Sequence, residues 1–130
     1  MEAACRGGQR ARGQGAEGLV LGILPVAELD GGNRFCDIVI PTGMGVARNV
    51  LVVRAADAVI LVGGGAGTLS EAAYAWQLGK PLVALRCSGG WAARLAGTAL
   101  DGRRAEVVLA ADSAAEAVEL ALARAKGTAV

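Results

Sequence analysis

The clearest chemical signal in the sequence is residues 62–71, Val62-Gly63-Gly64-Gly65-Ala66-Gly67-Thr68-Leu69-Ser70-Glu71. An apolar run ends there in four glycines within five positions, and a segment of helix formers follows at once. Glycine lets a backbone come close to a ligand, and the free N–H groups at a helix start favour an anion, usually phosphate. Two familiar phosphate loops do not fit. The dinucleotide pattern GxGxxG needs glycine at position 70, which is Ser70, and an acidic residue after the next strand, where Arg86 stands. A Walker A loop opens a helix at its lysine, whereas Gly79-Lys80 runs into Pro81 and closes one. Nicotinamide cofactors and P-loop chemistry are therefore disfavoured. Glu71 reads either as a carboxylate serving a site or as the far end of a capping box, Thr68-x-x-Glu71, that bonds the N–H of Thr68. A plain turn needs one or two glycines, so four of them tilt the reading toward a site. Arg48 falls in the first turn of a helix predicted over 47–56, where the macrodipole disfavours a cation unless a phosphate or carboxylate is near. Asn49 can hydrogen-bond a ribose or base, or can equally be a surface residue.

Composition narrows the chemistry further. The chain has 130 residues, 54% apolar and 19% charged, which suits one ordered domain and excludes disorder. It has no histidine, so neither a histidine-based nucleophile system nor a histidine-ligated metal can be built, and no metal site is expected. Glu71 is then the best-placed acid or base. Cys5, Cys36 and Cys87 are far apart in the sequence and odd in number, which favours neither zinc nor disulfides. They read as small buried hydrophobes in a reducing cytosol. A net charge of +1 argues against a broad nucleic-acid surface. No apolar run reaches the ~18–20 residues of a membrane span, and the first residues lack an export signal.

The elements that must position these residues alternate. Apolar runs at 19–24, 37–40, 58–62, 81–85 and 107–109 read as buried strands. Helices are expected over 47–56, over 69–78 with a stop at Gly79-Lys80-Pro81, and from the capping box at Ser113-x-x-Glu116 to about Lys126. Strands without polar alternation between helices imply an α/β fold with a parallel sheet covered on both faces. Residues 88–104 have no clear period and read as loop with one short helix. Trp76 is expected at a helix–helix contact, with Tyr74 on the same helix, and Arg6, Arg10 and Arg12 on a solvated helix face.

The glycine loop resembles the PGGxGTxxE signature of the LONELY GUY family, the cytokinin riboside 5′-monophosphate phosphoribohydrolases formerly called lysine decarboxylase-like, and of the related molybdenum cofactor carrier proteins. Gly64, Gly65, Gly67, Thr68 and Glu71 match, and Gly63 replaces the proline. Upstream, Pro41-Thr42-Gly43-Met44-Gly45-Val46-Ala47-Arg48-Asn49 resembles the segment with the family's catalytic arginine. The ARN and GTLSE details are similar to the carrier-like branch. The resemblance implies a single Rossmann-like nucleotide- or phosphate-binding domain over residues 1–130. It implies ligand contacts from Thr42, Gly43, Arg48, Asn49, Gly63, Gly64, Gly65, Gly67 and Thr68, with Arg48 and Glu71 as catalytic candidates. It also implies a homo-oligomer and a small phosphorylated ligand, a nucleoside monophosphate or a pterin, with molybdenum cofactor as the carried ligand. Met1-Glu2-Ala3-Ala4 is similar to the end of an upstream glycine loop, so the first strand–helix–strand of the family is expected to be missing. Three functions follow: carrying a phosphorylated pterin, hydrolysing the N-glycosidic bond of a nucleoside monophosphate, or sensing a nucleotide.

Overall fold

A computed structural model describes residues 1–127. Its backbone divides into two compact units, Met1–Arg48 and Asn49–Val130, the second described as far as residue 127. In the first, helix α1 (Glu2–Gly13) precedes strands β1 (Leu21–Leu24) and β2 (Ile38–Pro41), with 3₁₀ turns at Leu29–Gly31 and Gly45–Arg48. In the second come α2 (Asn49–Arg54), β3 (Val59–Val62), α3 (Ala66–Gln77), β4 (Leu82–Leu85), a 3₁₀ turn (Arg86–Ser88), α4 (Gly90–Leu95), β5 (Leu109–Ala111) and α5 (Ala114–Lys126). β1 pairs with β2, and β3, β4 and β5 pair in that order, every pair parallel. The fold is α/β and Rossmann-like, as the alternation of elements requires.

β4 is the centre of the second unit. Leu82 and Ala84 face one layer with Val53, Leu61, Ala72, Ala75, Trp76, Ala92, Leu95 and Val108. Val83 faces the other layer, with Ala111, Ala117 and Ala121. Alternate residues of a strand point to opposite faces, so a strand buried on both sides reads as an unbroken apolar run. Alanines on α3 and α5 let those helices lie close to the sheet.

Local signals account for most boundaries. α3 ends in a Schellman motif: Gly79 has φ +68, its N–H bonds the Trp76 carbonyl at 3.2 Å, and the Lys80 N–H bonds Ala75 at 2.9 Å. At the start of α5, Ser113 Oγ accepts the Glu116 N–H at 3.1 Å while the Glu116 carboxylate accepts the Asp112 N–H at 2.8 Å. Other expectations need correcting. The helix predicted over 47–56 is a 3₁₀ turn followed by the six-residue α2, so Arg48 ends the turn and does not open an α-helix. The last strand lies two residues later than predicted. Val108 donates to the Thr98 carbonyl at 2.8 Å and accepts the Gly97 N–H at 2.9 Å, so its pairing belongs to that turn and β5 begins at Leu109.

Trp76 is buried in the core of the second unit, not held at a helix–helix contact alone. Its indole N–H donates to Asp101 at 2.7 Å, and the Arg104 guanidinium lies 4.9 Å above its ring. Tyr74, two residues earlier, is exposed. The cysteines are not uniformly buried or distant. Cys5 and Cys36 are half-buried with their sulfurs 4.0 Å apart, and Cys87 is exposed. Of the three arginines on α1, Arg6 and Arg10 are exposed, but Arg12 is ion-paired to Asp37 at 2.8 Å.

Candidate functional site

The glycine loop lies between β3 and α3, and its conformation is set by two consecutive left-handed residues. Gly63 has φ +55 and Gly64 has φ +90, values that side-chain-bearing residues rarely adopt. A Cβ on Gly64 would also overlap the Thr68 side chain, and one on Gly63 would sit 3.3 Å from the Ser88 carbonyl. Gly65 is different: its φ is −104, and a Cβ there would meet nothing within 4 Å. The fold itself needs glycine at 63 and 64 and leaves open space at 65.

α3 opens at Ala66 with Gly65 as its cap, three residues before the predicted start. Its first closing bond runs from the Leu69 N–H to the Gly65 carbonyl at 3.1 Å. The N–H groups of Ala66, Gly67 and Thr68 therefore have no acceptor inside the helix. Gly64 to Gly67 are exposed, so a row of glycine-flanked donors meets solvent at the positive end of a twelve-residue helix. This earlier start also removes the capping box expected at Thr68-x-x-Glu71. No side chain caps α3, and Glu71 lies in its second turn, half-buried.

The carbonyl side of the loop is held by a segment that sequence periodicity left unread. The Ser88 hydroxyl accepts the Gly63 N–H at 2.7 Å and donates to the Leu85 carbonyl at 2.5 Å. The Trp91 N–H bonds the Gly64 carbonyl at 3.1 Å, and the Ala92 N–H bonds the Gly63 carbonyl at 3.0 Å. Gly90, at φ +57, packs so closely that a Cβ there would come 2.5 Å from the Gly64 oxygen. Ser88-Gly89-Gly90 was the available signal: a hydroxyl and two glycines directly after a strand end are the materials of a second loop.

Asn49 is neither a surface residue nor a free donor. It is buried, and its amide donates to Ser70 Oγ at 2.7 Å and reaches the Gly67 carbonyl at 3.5 Å. Ser70 Oγ in turn donates to Gly67 at 2.8 Å. Asn49 thus ties α2 to the first turn of α3. In the first unit, Thr42 Oγ1 donates to the Leu24 carbonyl at 2.6 Å and accepts the Met44 N–H at 3.2 Å. Gly43 has φ +63 and donates to Val26 at 3.0 Å. Arg48 is half-buried at the end of its 3₁₀ turn. Among the expected site residues, Asn49, the loop glycines, Thr68 and Glu71 belong to the second unit, and Thr42, Gly43 and Arg48 to the first.

Known proteins share this architecture. An uncharacterized protein of Archaeoglobus fulgidus is 49% identical over 86 residues, 66% of this chain and 53% of its own length. The chain thus spans about half the length of that curated relative. The X-ray structure of TM1055, a structural-genomics target, superposes with a TM-score of 0.74 at 37% identity, covering 86% of this chain and 67% of the other. The molybdenum cofactor binding protein of the phototrophic bacterium Rippkaea orientalis superposes with a TM-score of 0.73 at 36% identity, covering 95% and 69%. The SLOG cluster4 family matches residues 1–127, from α1 through the glycine loop to the end of α5. The chain belongs to the SLOG cluster4 family.

Proposed function

We propose that the protein binds a phosphorylated, nucleotide-like small molecule at the glycine loop, and that molybdenum cofactor is the ligand it carries. The observation that supports this most is the contrast at residues 63–65. Two glycines are demanded by the backbone, while the third, the cap residue of α3, has open space where a Cβ would stand. The N–H groups that begin α3 suit the phosphate of a pterin or a nucleotide, which needs several N–H groups and a positive helix end. Structural similarity to a molybdenum cofactor binding protein at 36% identity supports the same class of ligand. Titration with inorganic phosphate, adenosine monophosphate and a pterin phosphate should show binding by the wild type. Gly65→Val should abolish it, because the valine fills the open space without disturbing Gly63 or Gly64. Unchanged affinity in Gly65→Val would remove the loop from the binding site.

A second reading, hydrolysis of the N-glycosidic bond of a nucleoside monophosphate, is supported by Glu71. This carboxylate lies in the second turn of α3, half-buried, after the glycine loop. Positive charge builds on the ribose as such a bond breaks, and a carboxylate can stabilise it or activate water. Arg48 would hold the phosphate and fix the sugar. Under this reading the wild type releases free base, and Glu71→Gln binds nucleotide but releases none. A carrier releases no base even as wild type.

A further inference from the structure

We infer that Ser88 and the start of α4 are positioning elements for the glycine loop: Ser88 by holding the Gly63 N–H, and α4 by holding the Gly63 and Gly64 carbonyls from behind, aim the following N–H groups at the ligand. This rests on the proposal that the loop binds phosphate and adds to it which residues outside the loop set its affinity. The argument is geometric. Among the described residues no peptide bond is cis, and in a planar trans peptide the C=O and the following N–H point in opposite directions. The Gly63 carbonyl points at the Ala92 N–H and the Gly64 carbonyl at the Trp91 N–H. The N–H groups of Gly64 and Gly65 must then point away from α4. That is the direction the loop needs if they are to join Ala66, Gly67 and Thr68 around one anion.

Two glycines in the left-handed region can easily flip the peptide between them, because without Cβ atoms either face costs little. A flipped peptide would present a carbonyl oxygen, which repels phosphate. Three contacts oppose the flip. The Ala92 N–H grips the carbonyl of that peptide, the Trp91 N–H grips the carbonyl of the next one, and Gly90 packs against the Gly63–Gly64 peptide, where a Cβ would be 2.7 Å from the Gly63 carbon. Ser88 fixes the entry to the turn through the Gly63 N–H and is itself anchored to the end of β4 through Leu85. None of these groups has to touch the ligand. The short α4 spends its first N–H groups on the loop, so it acts as a brace and is not an anion site in its own right.

Ser88 supplies the test. Ser88→Ala removes the acceptor for the Gly63 N–H and should weaken binding of adenosine monophosphate about tenfold, the effect of ~1.4 kcal/mol. Ser88→Thr keeps the hydroxyl and should restore most of the affinity. Amide resonances report the orientation directly: in the wild type those of Gly64 and Gly65 should shift on adding inorganic phosphate, and in Ser88→Ala the shifts should shrink together. Binding is read on protein that is folded by circular dichroism, so loss of stability does not count as loss of affinity. If folded Ser88→Ala binds as tightly as wild type, with the same amide shifts, the bracing role is wrong and the loop reading stands. If wild type binds neither phosphate nor the nucleotide, both fall together.

Discussion

The two units of this chain are held together by different physics. In Asn49–Val130 the organising element is an aliphatic core on both sides of β4, with Val83 and Ala84 fully buried and Trp76 nearly so. In Met1–Arg48 no described residue is buried, and Leu21, Ile38 and Ile40 of its two strands are 43–46% exposed. Beside the β1–β2 ladder, its side-chain contacts are polar and converge on Asp37. That carboxylate accepts the Val20 N–H at 2.8 Å and the Gln9 amide at 2.9 Å and pairs with Arg12, which also bonds Gln9 at 2.7 Å. Packing is insensitive to pH and salt, while a network of exposed charge is sensitive to both. The candidate loop stands on the packed unit, where its support is rigid.

The largest effect should come from the packed side. Trp76→Ala empties the core and removes the indole bond to Asp101, and should cost ~3–5 kcal/mol in urea unfolding. Leu24→Ala on half-buried β1 should cost ~1 kcal/mol or less, a surface-like value for a residue with little core around it. Equal costs would mean that the first unit has a core of its own.

Next in size is the glycine contrast. Gly64→Ala must adopt φ +90 against Thr68 and should lower stability by ~1–3 kcal/mol. Gly65→Ala, with open space and an ordinary φ, should stay within ~0.5 kcal/mol of wild type. Thermal unfolding of the pair separates a glycine the backbone needs from one that a ligand needs.

Acid should loosen the polar unit. The Val20 N–H, ahead of the Arg12 and Gln9 contacts, holds the Asp37 carboxyl below its ordinary value despite some desolvation. A group whose folded pKa is depressed adds stability above its unfolded value, and that stability is lost as pH falls through the folded one. The Asp37 contribution should therefore be intact at neutral pH and decline below about pH 4. Asp37→Asn should flatten that decline in an acid titration followed by circular dichroism. Asp101 behaves in the same sense through the Arg103 N–H and the Trp76 indole, so a small acid sensitivity should persist in Asp37→Asn. A decline of undiminished slope would show that Asp37 does not hold the first unit.

The smallest effect is chemical. Exposed Cys87 should react with a maleimide before Cys5 or Cys36. Burial, and then the hydrogen bond with Cys5, raises the Cys36 pKa and leaves less of the reactive thiolate at neutral pH. Peptide mapping that found Cys36 modified as fast as Cys87 would contradict its packing against Cys5.

Much of this molecule is local and was legible in the order of its residues. Apolar runs without polar alternation specify strands, and all five lie within two residues of their expected places, but only β4 is buried on both faces; β1 and β2 stay half-exposed. Gly79-Lys80-Pro81 and Ser113-x-x-Glu116 act on their own neighbours, so their helix ends follow from short-range hydrogen bonding and φ alone. The place of the glycine loop between β3 and α3 was legible for the same reason: a cluster of glycines at the end of an apolar run marks a tight turn. What tertiary structure decided are contacts between residues distant in sequence. The Thr68-x-x-Glu71 pattern satisfies a local rule, yet α3 starts at Ala66, where the left-handed Gly63 and Gly64 are gripped by Trp91 and Ala92. Asn49 carries no sign in its own segment that it will be buried against Ser70, 21 residues away. Cys5 and Cys36 meet across 31 residues. Local patterns settle which groups a segment can offer, but the partner that accepts each one is chosen by packing, because a buried polar group must be satisfied wherever the fold brings an acceptor.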